Sequence, residues 1–542
     1  MFLRSFKFYI LFTILICTSR TGFSAPASEA FRTHKQPDKT EILLRLRGDE
    51  WFNWLETKSG HTVVHRDDGA YVYAADAVSG KLIESKLLVG QSDPKDANIK
   101  PGILPDFEEI NRLKKSPNDG RMMIPKKIGN FRNLVVLARF SDHHNRQLPT
   151  QQAMNHIFNT VGGDPQNAPT GSLRDVYYEN SYGMSEPVST ISTWADLPKS
   201  ELYYSEGLWG RGPKNLALQA VRDSLKLVDH QIDFSKLDSN GDNFADCVTF
   251  THSGYGSEAN GLDPTGAPPR NRIWSRFDVL DPPWVSDEGV KVSRIAICPS
   301  LFGHTGTVPT RIGILAHEIG HVMGLPDLYD NMPNGIGEHV GHGIGSWGMM
   351  GNCWGFDQTQ LYPPHFSPWC KIQLGWVTPK EIHATSKKQL EAIEQSPEVF
   401  KFTQGFQKGE YLLIENRQPL GFDQRIPVDK DGCGGLAIWH IDENQTDVLN
   451  RAGFPGQTNW PTNGRHYRIA VLQADGKYSL EKGEDKGTGD DLYRGTLTSL
   501  ITPGTVPGTM SYHGGVLSAT PYSILKISVS GTVMNFEVQV VP

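Results

Sequence analysis

Hydrophobic and polar positions follow three different patterns along the chain. Near the N-terminus, Thr62–His65 and Tyr71–Ala74 flank an Asp-Gly turn, which predicts a β-hairpin. Further along, continuous apolar runs such as Leu134–Phe140 predict buried strands, and Leu216–Val228 has helical periodicity. After Trp376 the pattern changes to short strands between turns. The chain therefore divides into at least three structural regions.

The middle and last regions differ in fold class. Two more apolar runs, Cys247–Thr251 and Arg294–Cys298, predict further buried strands, so the middle region is expected to have an α/β core. The last region shows one candidate helix near Lys387–Glu394 and otherwise strands, which favours a β-sandwich. Its predicted strands are Tyr411–Glu415, Gly435–Ile441, Arg468–Gln473 and Ile524–Val529.

The first residues predict export. Arg4 and Lys7 precede the apolar run Phe8–Cys17, and small residues follow at Ser24–Ala27, as in a signal peptide. The run is shorter than the ~20 residues that a transmembrane helix needs. The predicted organisation is a signal peptide at 1–25, a pro-region with an exposed connector at 26–127, a middle domain at 128–378 and a β-rich domain at 379–542. The predicted location is extracellular.

Composition excludes some function classes. The chain has 542 residues and a net charge of −7, which argues against a dedicated nucleic-acid binder. Export permits disulfides, and Cys353 with Cys370 is the most local pair, although spacing does not fix connectivity. Gly343, Gly345 and Gly348 spell G-x-G-x-x-G, but no strand-then-helix context is predicted there, so no cofactor-binding residue is assigned.

The sharpest chemical signal is the H-E-x-x-H sequence formed by His317, Glu318 and His321. Apolar residues recur at helical spacing through Arg311–Met323, so the motif is expected on a helix. Residues four apart share a face, and both histidines can therefore reach one metal ion. Glu318 points about 100° away from His317 and is predicted to act on a metal-bound water as the catalytic base.

A third ligand is expected just after this helix. Gly324 can end the helix, Pro326 cannot continue it, and Asp327 arrives ten residues after His317. That is the ligand position in H-E-x-x-H-x-x-G-x-x-H, and a carboxylate is an acceptable zinc ligand. The predicted zinc ligands are therefore His317, His321 and Asp327. Nearby alternatives for the third ligand are Asp330, Glu338, His339 and His342.

Several stretches together resemble a known family. Gly345–Asn352 reads G-S-W-G-M-M-G-N, and it is similar to the Met-turn of metzincins, with Met350 preferred over Met349. With the zinc helix, R-G-D-E-W at Arg47–Trp51, Y-Y-E-N-S-Y-G at Tyr177–Gly183 and L-I-E-N-R-Q at Leu413–Gln418, the chain resembles the immune inhibitor A family of secreted zinc metallopeptidases. The resemblance implies a multidomain α+β protein. It implies a pro-segment, a metzincin-like zincin catalytic domain with a mixed sheet and an active-site helix, and a β-rich C-terminal domain.

The function predicted from these features is a secreted zinc-dependent endopeptidase that hydrolyses protein or peptide substrates and is made as a latent precursor. The alternative is a catalytically silent secreted binding protein on the same scaffold; an intact Glu318 favours the enzyme. The pro-region has no cysteine to cap the metal, so a carboxylate such as Asp49 or Asp67 is a candidate, with no choice between them. The sequence does not predict an oligomeric state.

A calcium site is a second metal hypothesis. Asp238, Asn240, Asp242 and Asp246 occupy positions 1, 3, 5 and 9 of a calcium-loop spacing, and Phe244 could offer its carbonyl. Position 6 is not Gly and position 12 is not Glu, so the loop is not an EF-hand. The alternative is a polar turn. Another acidic pair, Asp490 and Asp491, is expected to be a solvated turn.

Overall fold

A computed structural model gives the coordinates of the protein. It describes residues 23–66, 68–78, 81–104, 129–330, 340–428, 432–445, 454–455, 457, 460, 467–512 and 515–541. Most of the predicted signal peptide and the later part of the predicted connector lie outside these residues. Among the described helices, none combines the length and the apolar character of a membrane span.

The N-terminal region forms an antiparallel sheet of six strands that follow one another in chain order. After the short strand β1 (Phe23–Ser24), its members are β2 (Arg32–Lys35), β3 (Glu41–Gly48), β4 (Asn53–Glu56), β5 (Thr62–His65), β6 (Tyr71–Val78) and β7 (Lys81–Leu88). The predicted hairpin is confirmed, because β5 and β6 pair antiparallel with Val64 opposite Val72. A separate hydrophobic core that includes Leu44 and Tyr73 holds this sheet together.

The middle region is built on a mixed seven-stranded sheet in the order β1-β12-β13-β11-β8-β10, with β9 also paired to β8. Its strands are β8 (Phe131–Arg139), β9 (Pro187–Ile191), β10 (Ala195–Asp196), β11 (Cys247–Tyr255), β12 (Arg276–Val285) and β13 (Lys291–Leu301). Its helices are α1 (Gln151–Asn159), α2 (Leu173–Asn180), α3 (Glu201–Ser205), α4 (Leu216–Val228), α5 (Ile312–Val322) and α6 (Pro368–Gln373).

The directions of these strands fit the apolar runs in the sequence. Strands β8, β11 and β13 are parallel neighbours, and all nine residues of β11 are buried. Parallel strands covered on both faces are expected to be apolar along their whole length. Strand β12 runs antiparallel to β13, and β1 pairs antiparallel with β12, at one side of the sheet.

The C-terminal region consists of two sheets that share one hydrophobic core. The first has the order β14-β16-β17-β18-β19, the second has the order β15-β23-β22, and β20 pairs with β21. The elements are β14 (Lys380–Glu381), β15 (Ser386–Glu391), β16 (Phe400–Phe402), β17 (Glu410–Arg417), β18 (Gly435–Asp442), β19 (Ile469–Val471), α7 (Ser479–Lys482), β20 (Met510–Ser511), β21 (Ser518–Ala519), β22 (Tyr522–Leu525) and β23 (Val533–Val540).

Strand β17 joins this region to the middle one. Leu412 and Ile414 point into the core between the two C-terminal sheets. Tyr411 and Leu413, on the opposite face, belong to the core that surrounds helix α5. Because side chains alternate across a strand, a strand buried on both faces can serve two cores. The C-terminal region is therefore packed directly against the middle region.

One sequence prediction needs correction here. The candidate helix at Lys387–Glu394 is wrong, because Lys387–Glu391 belong to strand β15, which pairs antiparallel with β23, and the next residues form an isolated bridge and a turn. Leu390 is fully buried while its neighbours Gln389 and Glu391 are exposed, which is a strand alternation. Among the described residues, the five cysteines form no disulfide, so Cys353 and Cys370 are both free.

Candidate metal centre

Helix α5 carries the H-E-x-x-H motif and is buried along its whole length. One face packs on the mixed sheet, and the N-terminal segment and later loops cover the rest. The helix ends at Met323, and Gly324 follows with φ of +99°. That left-handed conformation favours glycine and turns the chain back toward the helix. The turn brings Asp327 beside the two histidines.

Three ligand atoms form a nearly equilateral triangle. His317 Nε2 lies 3.1 Å from His321 Nε2, and Asp327 Oδ1 lies 3.1 Å from the first and 3.2 Å from the second. Zinc bonded tetrahedrally at 2.0–2.1 Å separates its ligand atoms by about 3.3 Å. The donor set and its spacing therefore fit zinc. In the described part of the chain, this is the one group of three His, Cys, Asp or Glu side chains that lie close enough together to share an ion.

Backbone carbonyls orient both imidazole rings. His317 Nδ1 lies 2.9 Å from the carbonyl oxygen of Met349, and His321 Nδ1 lies 2.7 Å from that of Leu325. A ring nitrogen facing a carbonyl carries the proton, so each Nε2 keeps its lone pair for a metal. Burial lowers the pKa of His321, which favours the same neutral form. The two imidazole nitrogens outweigh burial and hold the pKa of Asp327 at about 2.

Glu318 lies beside the ligands. Its carboxyl is fully buried, and its Oε1 accepts a hydrogen bond of 2.9 Å from the amide of Ala25. Its Oε2 has no hydrogen-bond partner among the described residues. Burial, followed by the charge of Asp327, raises the pKa of Glu318. A carboxyl group in this position, with one oxygen free, can accept a proton from a water held at the ligands.

The predicted Met loop lies under the helix. A Cβ atom added at Gly320 would lie only 2.8 Å from the sulfur of Met350, so that sulfur packs directly against the helix. Met349 contributes its backbone carbonyl to His317 instead. The two methionines therefore contact the site in different ways. Met350, the residue that the sequence favours for a Met-turn, is the one whose sulfur lies against the helix.

Two of the motifs that carried the family resemblance support this loop and helix. Tyr177 donates a hydrogen bond of 2.9 Å to the carbonyl of Ala316 in α5. Arg417 of β17 donates one of 2.9 Å to the carbonyl of Trp347 in the Met loop. The indole of Trp347 donates to Asp491 at 2.8 Å. Asp491 is buried, so the prediction of a solvated turn there is wrong.

The alternative third ligands lie elsewhere or are not described. His342 Nδ1 lies 3.6 Å from Glu29 Oε1 of the N-terminal region. Asp330 is buried but does not join the ligand triangle. Glu338 and His339 lie outside the described residues.

Residues of the N-terminal segment occupy the space in front of the ligands. The carbonyl oxygen of Ser24 lies 3.2 Å from His317 Nε2 and accepts a hydrogen bond of 2.6 Å from the Tyr329 hydroxyl. The Ser24 amide donates to Asp327 Oδ2 at 3.3 Å. Trp274 Nε1 donates to the carbonyl of Ala25 at 2.9 Å. A stretch of backbone thus fills the position that a substrate would take.

A second N-terminal element approaches the site from the loop after β3. Asp49, one of two suggested capping carboxylates, accepts backbone hydrogen bonds from Trp51 and Phe52, both at 2.8 Å. Its neighbour Glu50 accepts from Ser24 Oγ and from Arg211, the latter at 2.7 Å. The other suggestion, Asp67, lies outside the described residues. The N-terminal group nearest the candidate ligands is therefore the backbone carbonyl of Ser24.

The candidate calcium loop is exposed and lies away from the site. Asp238 accepts hydrogen bonds from the amides of Gly241, Asp242 and Asn243. Asp246 accepts from Arg132 and Ser239. The Asp238 contacts are local turn contacts, and the hydrogen bonds of both residues use carboxylate oxygens that a calcium ion would need.

A buried H-E-x-x-H helix followed by a carboxylate at the third ligand position is the arrangement typical of metallopeptidases. Comparison with known families points to the same class. Residues 134–377 match the family model for the catalytic domain of immune inhibitor A peptidase M6. The resemblance inferred from the motifs is confirmed, because this part of the chain is similar to the catalytic domain of the immune inhibitor A family.

Individual relatives are similar to parts of the chain. Immune inhibitor A of Bacillus thuringiensis subsp. alesti is 28% identical over 275 residues, which cover 43% of this chain and 38% of that protein. Pre-pro-metalloprotease PrtV of Vibrio cholerae serotype O1 (strain M66-2) is 27% identical over 381 residues, which cover 63% of this chain and 38% of that protein. The chain therefore spans less than two fifths of the length of these relatives.

Proposed function

We propose that this protein is a secreted zinc endopeptidase that hydrolyses peptide bonds in proteins and is made as a latent precursor. The observation that carries the proposal is the triangle of His317, His321 and Asp327 ligand atoms, with Glu318 beside it. The match of residues 134–377 to the catalytic-domain model of immune inhibitor A peptidases supports the same activity.

The residues divide the chemistry among themselves. His317, His321 and Asp327 would hold the zinc ion, which when bound activates water and polarises the substrate carbonyl. Glu318 takes a proton from the attacking water and passes it to the leaving amine. The carbonyls of Leu325 and Met349 keep both imidazoles in the ligand form.

The domain architecture belongs to the same proposal. A mixed sheet, the buried helix α5 and the sulfur of Met350 against Gly320 support a metzincin-like catalytic domain. Two C-terminal sheets around one core support a β-sandwich-like second domain. The proposed boundaries are 26–127 for the pro-region, 128–378 for the catalytic domain and 379–542 for the C-terminal domain.

Latency follows from the backbone that lies in the cleft. The Ala25 amide donates to Oε1 of Glu318, and the Ser24 carbonyl lies against His317. The loop at Glu50 adds an ion pair of 2.7 Å with the buried Arg211, whose guanidinium also stacks over Trp51 at 4.0 Å. Tethering raises the effective concentration of such a plug, so modest contacts inhibit well.

The site of signal-peptide cleavage decides which residues cover the cleft. A signal peptide that ends at residue 25, as proposed, takes Ser24 and Ala25 away. The neighbouring residues remain attached, with the carbonyl of Pro26 accepting from Trp354 Nε1 at 2.9 Å and the Ala27 amide donating to Gly48 at 2.9 Å. In that case Pro26–Ser28 and Glu50 cover the cleft.

The alternative to an enzyme is a catalytically silent binding protein on this scaffold. A separate proposal is a calcium ion, with the candidate ligands Asp238, Asn240, Asp242, Phe244 and Asp246. A silent relative has no chemical need for Glu318, so activity separates the two classes. Calcium would have to replace the amide contacts of Asp238. We propose calcium as a stabilising ion, with no role in the reaction.

The central experiment combines a zinc assay with digestion of casein by the protein after limited trypsin treatment. Wild type should bind one zinc per chain and digest casein, and 1,10-phenanthroline should abolish digestion. Glu318→Gln should keep the zinc and lose nearly all turnover, because the base is not a ligand. Glu201→Gln is the matched control, since Glu201 is a buried glutamate of the same region outside the site. Full activity of Glu318→Gln would overturn the mechanism.

Latency is tested with the same preparation. The intact precursor should be nearly inactive, and a cut within residues 91–127 should release activity. The new N-terminus is mapped by mass spectrometry, and digestion is assayed before and after the cut. Equal rates before and after would reject the latent precursor and leave the N-terminal sheet with a folding or binding role.

A further inference from the structure

The Ser24–Ala25 peptide lies across the metal centre as a substrate peptide would. Strand β1 pairs antiparallel with β12, with Ser24 opposite Arg276. The carbonyl oxygen of Ser24 is 3.2 Å from His317 Nε2, and the Ala25 nitrogen is 2.9 Å from Glu318 Oε1. These atoms stand in for the carbonyl and the leaving nitrogen of a scissile bond.

One side chain outside the H-E-x-x-H motif touches that carbonyl oxygen. The Tyr329 hydroxyl donates to it at 2.6 Å, and Tyr329 is only 4% exposed. The residue follows the third ligand by two positions, so the turn that begins at Gly324 places both. The neighbouring Leu328 amide donates to Met350 at 2.8 Å, which ties this stretch to the Met loop. The hydroxyl is thus held in place before any substrate arrives.

We propose that Tyr329 is a further catalytic residue, whose hydroxyl stabilises the negative charge that develops on the substrate carbonyl oxygen. The proposal rests on the proposed peptidase function. When water adds to the carbonyl carbon, one C=O electron pair moves to oxygen, and Glu318 takes the proton of the water. When the C–N bond breaks, that pair returns and the proton goes to the amine. Tyr329 keeps its own proton and donates one hydrogen bond throughout.

A nearby side chain offers a contrast between catalysis and binding. Trp274 Nε1 donates to the Ala25 carbonyl, one residue beyond the reacting bond on the leaving side. That oxygen develops no charge in the reaction, so its contact contributes equally to ground state and transition state. Loss of Trp274 should therefore raise KM, whereas loss of the Tyr329 hydroxyl should lower kcat.

The test uses trypsin-activated enzyme carrying Tyr329→Phe, Trp274→Phe or Tyr204→Phe. The last is a control, because Tyr204 is a buried tyrosine whose hydroxyl donates to Asp223 at 2.8 Å, away from the site. Zinc content, kcat and KM are measured with a fluorogenic peptide. Tyr329→Phe should keep full zinc and an unchanged KM, with kcat lower by about 100-fold, the usual cost of one oxyanion donor. Tyr204→Phe should match wild type.

A phosphinic analogue of Phe-Ser-Ala-Pro-Ala, with the Ser-Ala bond replaced, supplies a second readout. Tyr329→Phe should lose affinity for this transition-state mimic by a factor similar to its loss in kcat, and should bind the cleaved peptide product unchanged. An unchanged kcat, or a loss fully explained by missing zinc, would overturn the role of Tyr329. Absence of peptidase activity in the wild-type protein would instead refute the proposed function. Failure of the Tyr329 proposal and failure of the peptidase proposal are therefore distinguishable.

Discussion

Arg417 joins the C-terminal region to the metal centre, and its removal gives the sharpest test of that connection. The side chain is completely buried. Its guanidinium contacts Asp423 at 2.6 Å and Glu415 at 3.2 Å, and it donates to the Trp347 carbonyl of the Met loop at 2.9 Å. The perturbation is Arg417→Ala.

The expected loss of stability follows from the buried carboxylates that Arg417→Ala leaves without their partner. Removing one partner of a buried ion pair leaves an uncompensated charge and costs about 3–5 kcal/mol. For a unit of this size, each kcal/mol lowers the melting temperature by roughly 2–4 °C, so a fall of about 10 °C is expected. The Trp347 carbonyl also loses its donor. Because Met349 in the same loop orients His317, zinc affinity should fall by about 10-fold to 100-fold.

The assay is differential scanning fluorimetry with a zinc competition titration, on Arg417→Ala and a matched control. Arg425→Ala is that control, because Arg425 is 52% exposed and lies 3.8 Å from Asp357. An exposed pair of this kind contributes only about 0–1 kcal/mol. The control should therefore melt within a few degrees of wild type and bind zinc normally.

The pH dependence gives an independent check. Burial raises the pKa of Asp423, yet the charge of Arg417 outweighs it and holds that pKa below its ordinary value. A depressed carboxyl pKa contributes stability at neutral pH that is lost as the pH falls. The difference in melting temperature between wild type and Arg417→Ala should therefore become smaller as the pH is lowered. Equal melting temperatures of Arg417→Ala and Arg425→Ala, or an unchanged zinc affinity of Arg417→Ala, would refute the link between the C-terminal region and the metal centre.

Three further predictions follow from the described contacts. His317→Ala should abolish stoichiometric zinc, and zinc bound at wild-type affinity would place the ion elsewhere. A calcium-selective chelator should lower the melting temperature of wild type but not of Asp242→Ala, since an ion that binds only the folded state stabilises it; equal shifts would leave a polar turn. Burial raises the pKa of Asp491 to about 7, so the folded state keeps a proton that the unfolded chain releases between about pH 4 and 7. The free energy of unfolding should fall as pH rises through that window, and it should fall less steeply in Asp491→Asn. An identical pH dependence of this free energy in both proteins, measured by urea titration, would contradict the prediction.

Local sequence was enough to predict the elements whose determinants lie within one turn or one strand. Helix α5, α4 and the buried strands β8 and β11 follow from periodicity that any chain of this pattern shows. The meeting of His317, His321 and Asp327 was predictable because residues i and i+4 share a helical face, and because Gly324 and Pro326 turn the chain. The strand at Lys387–Glu394 was missed because its register depends on β23, about 150 residues later.

Tertiary structure alone decided which distant groups meet at the site. Tyr329 follows Asp327 in the sequence, but its role is visible only once a peptide carbonyl lies against its hydroxyl. Ser24 reaches Asp327 across 303 residues, and no local pattern encodes that contact. Arg417 and Asp491 looked like ordinary polar residues. Packing against the Met loop excludes water from both, and a buried charge is stable only where the fold supplies its partners.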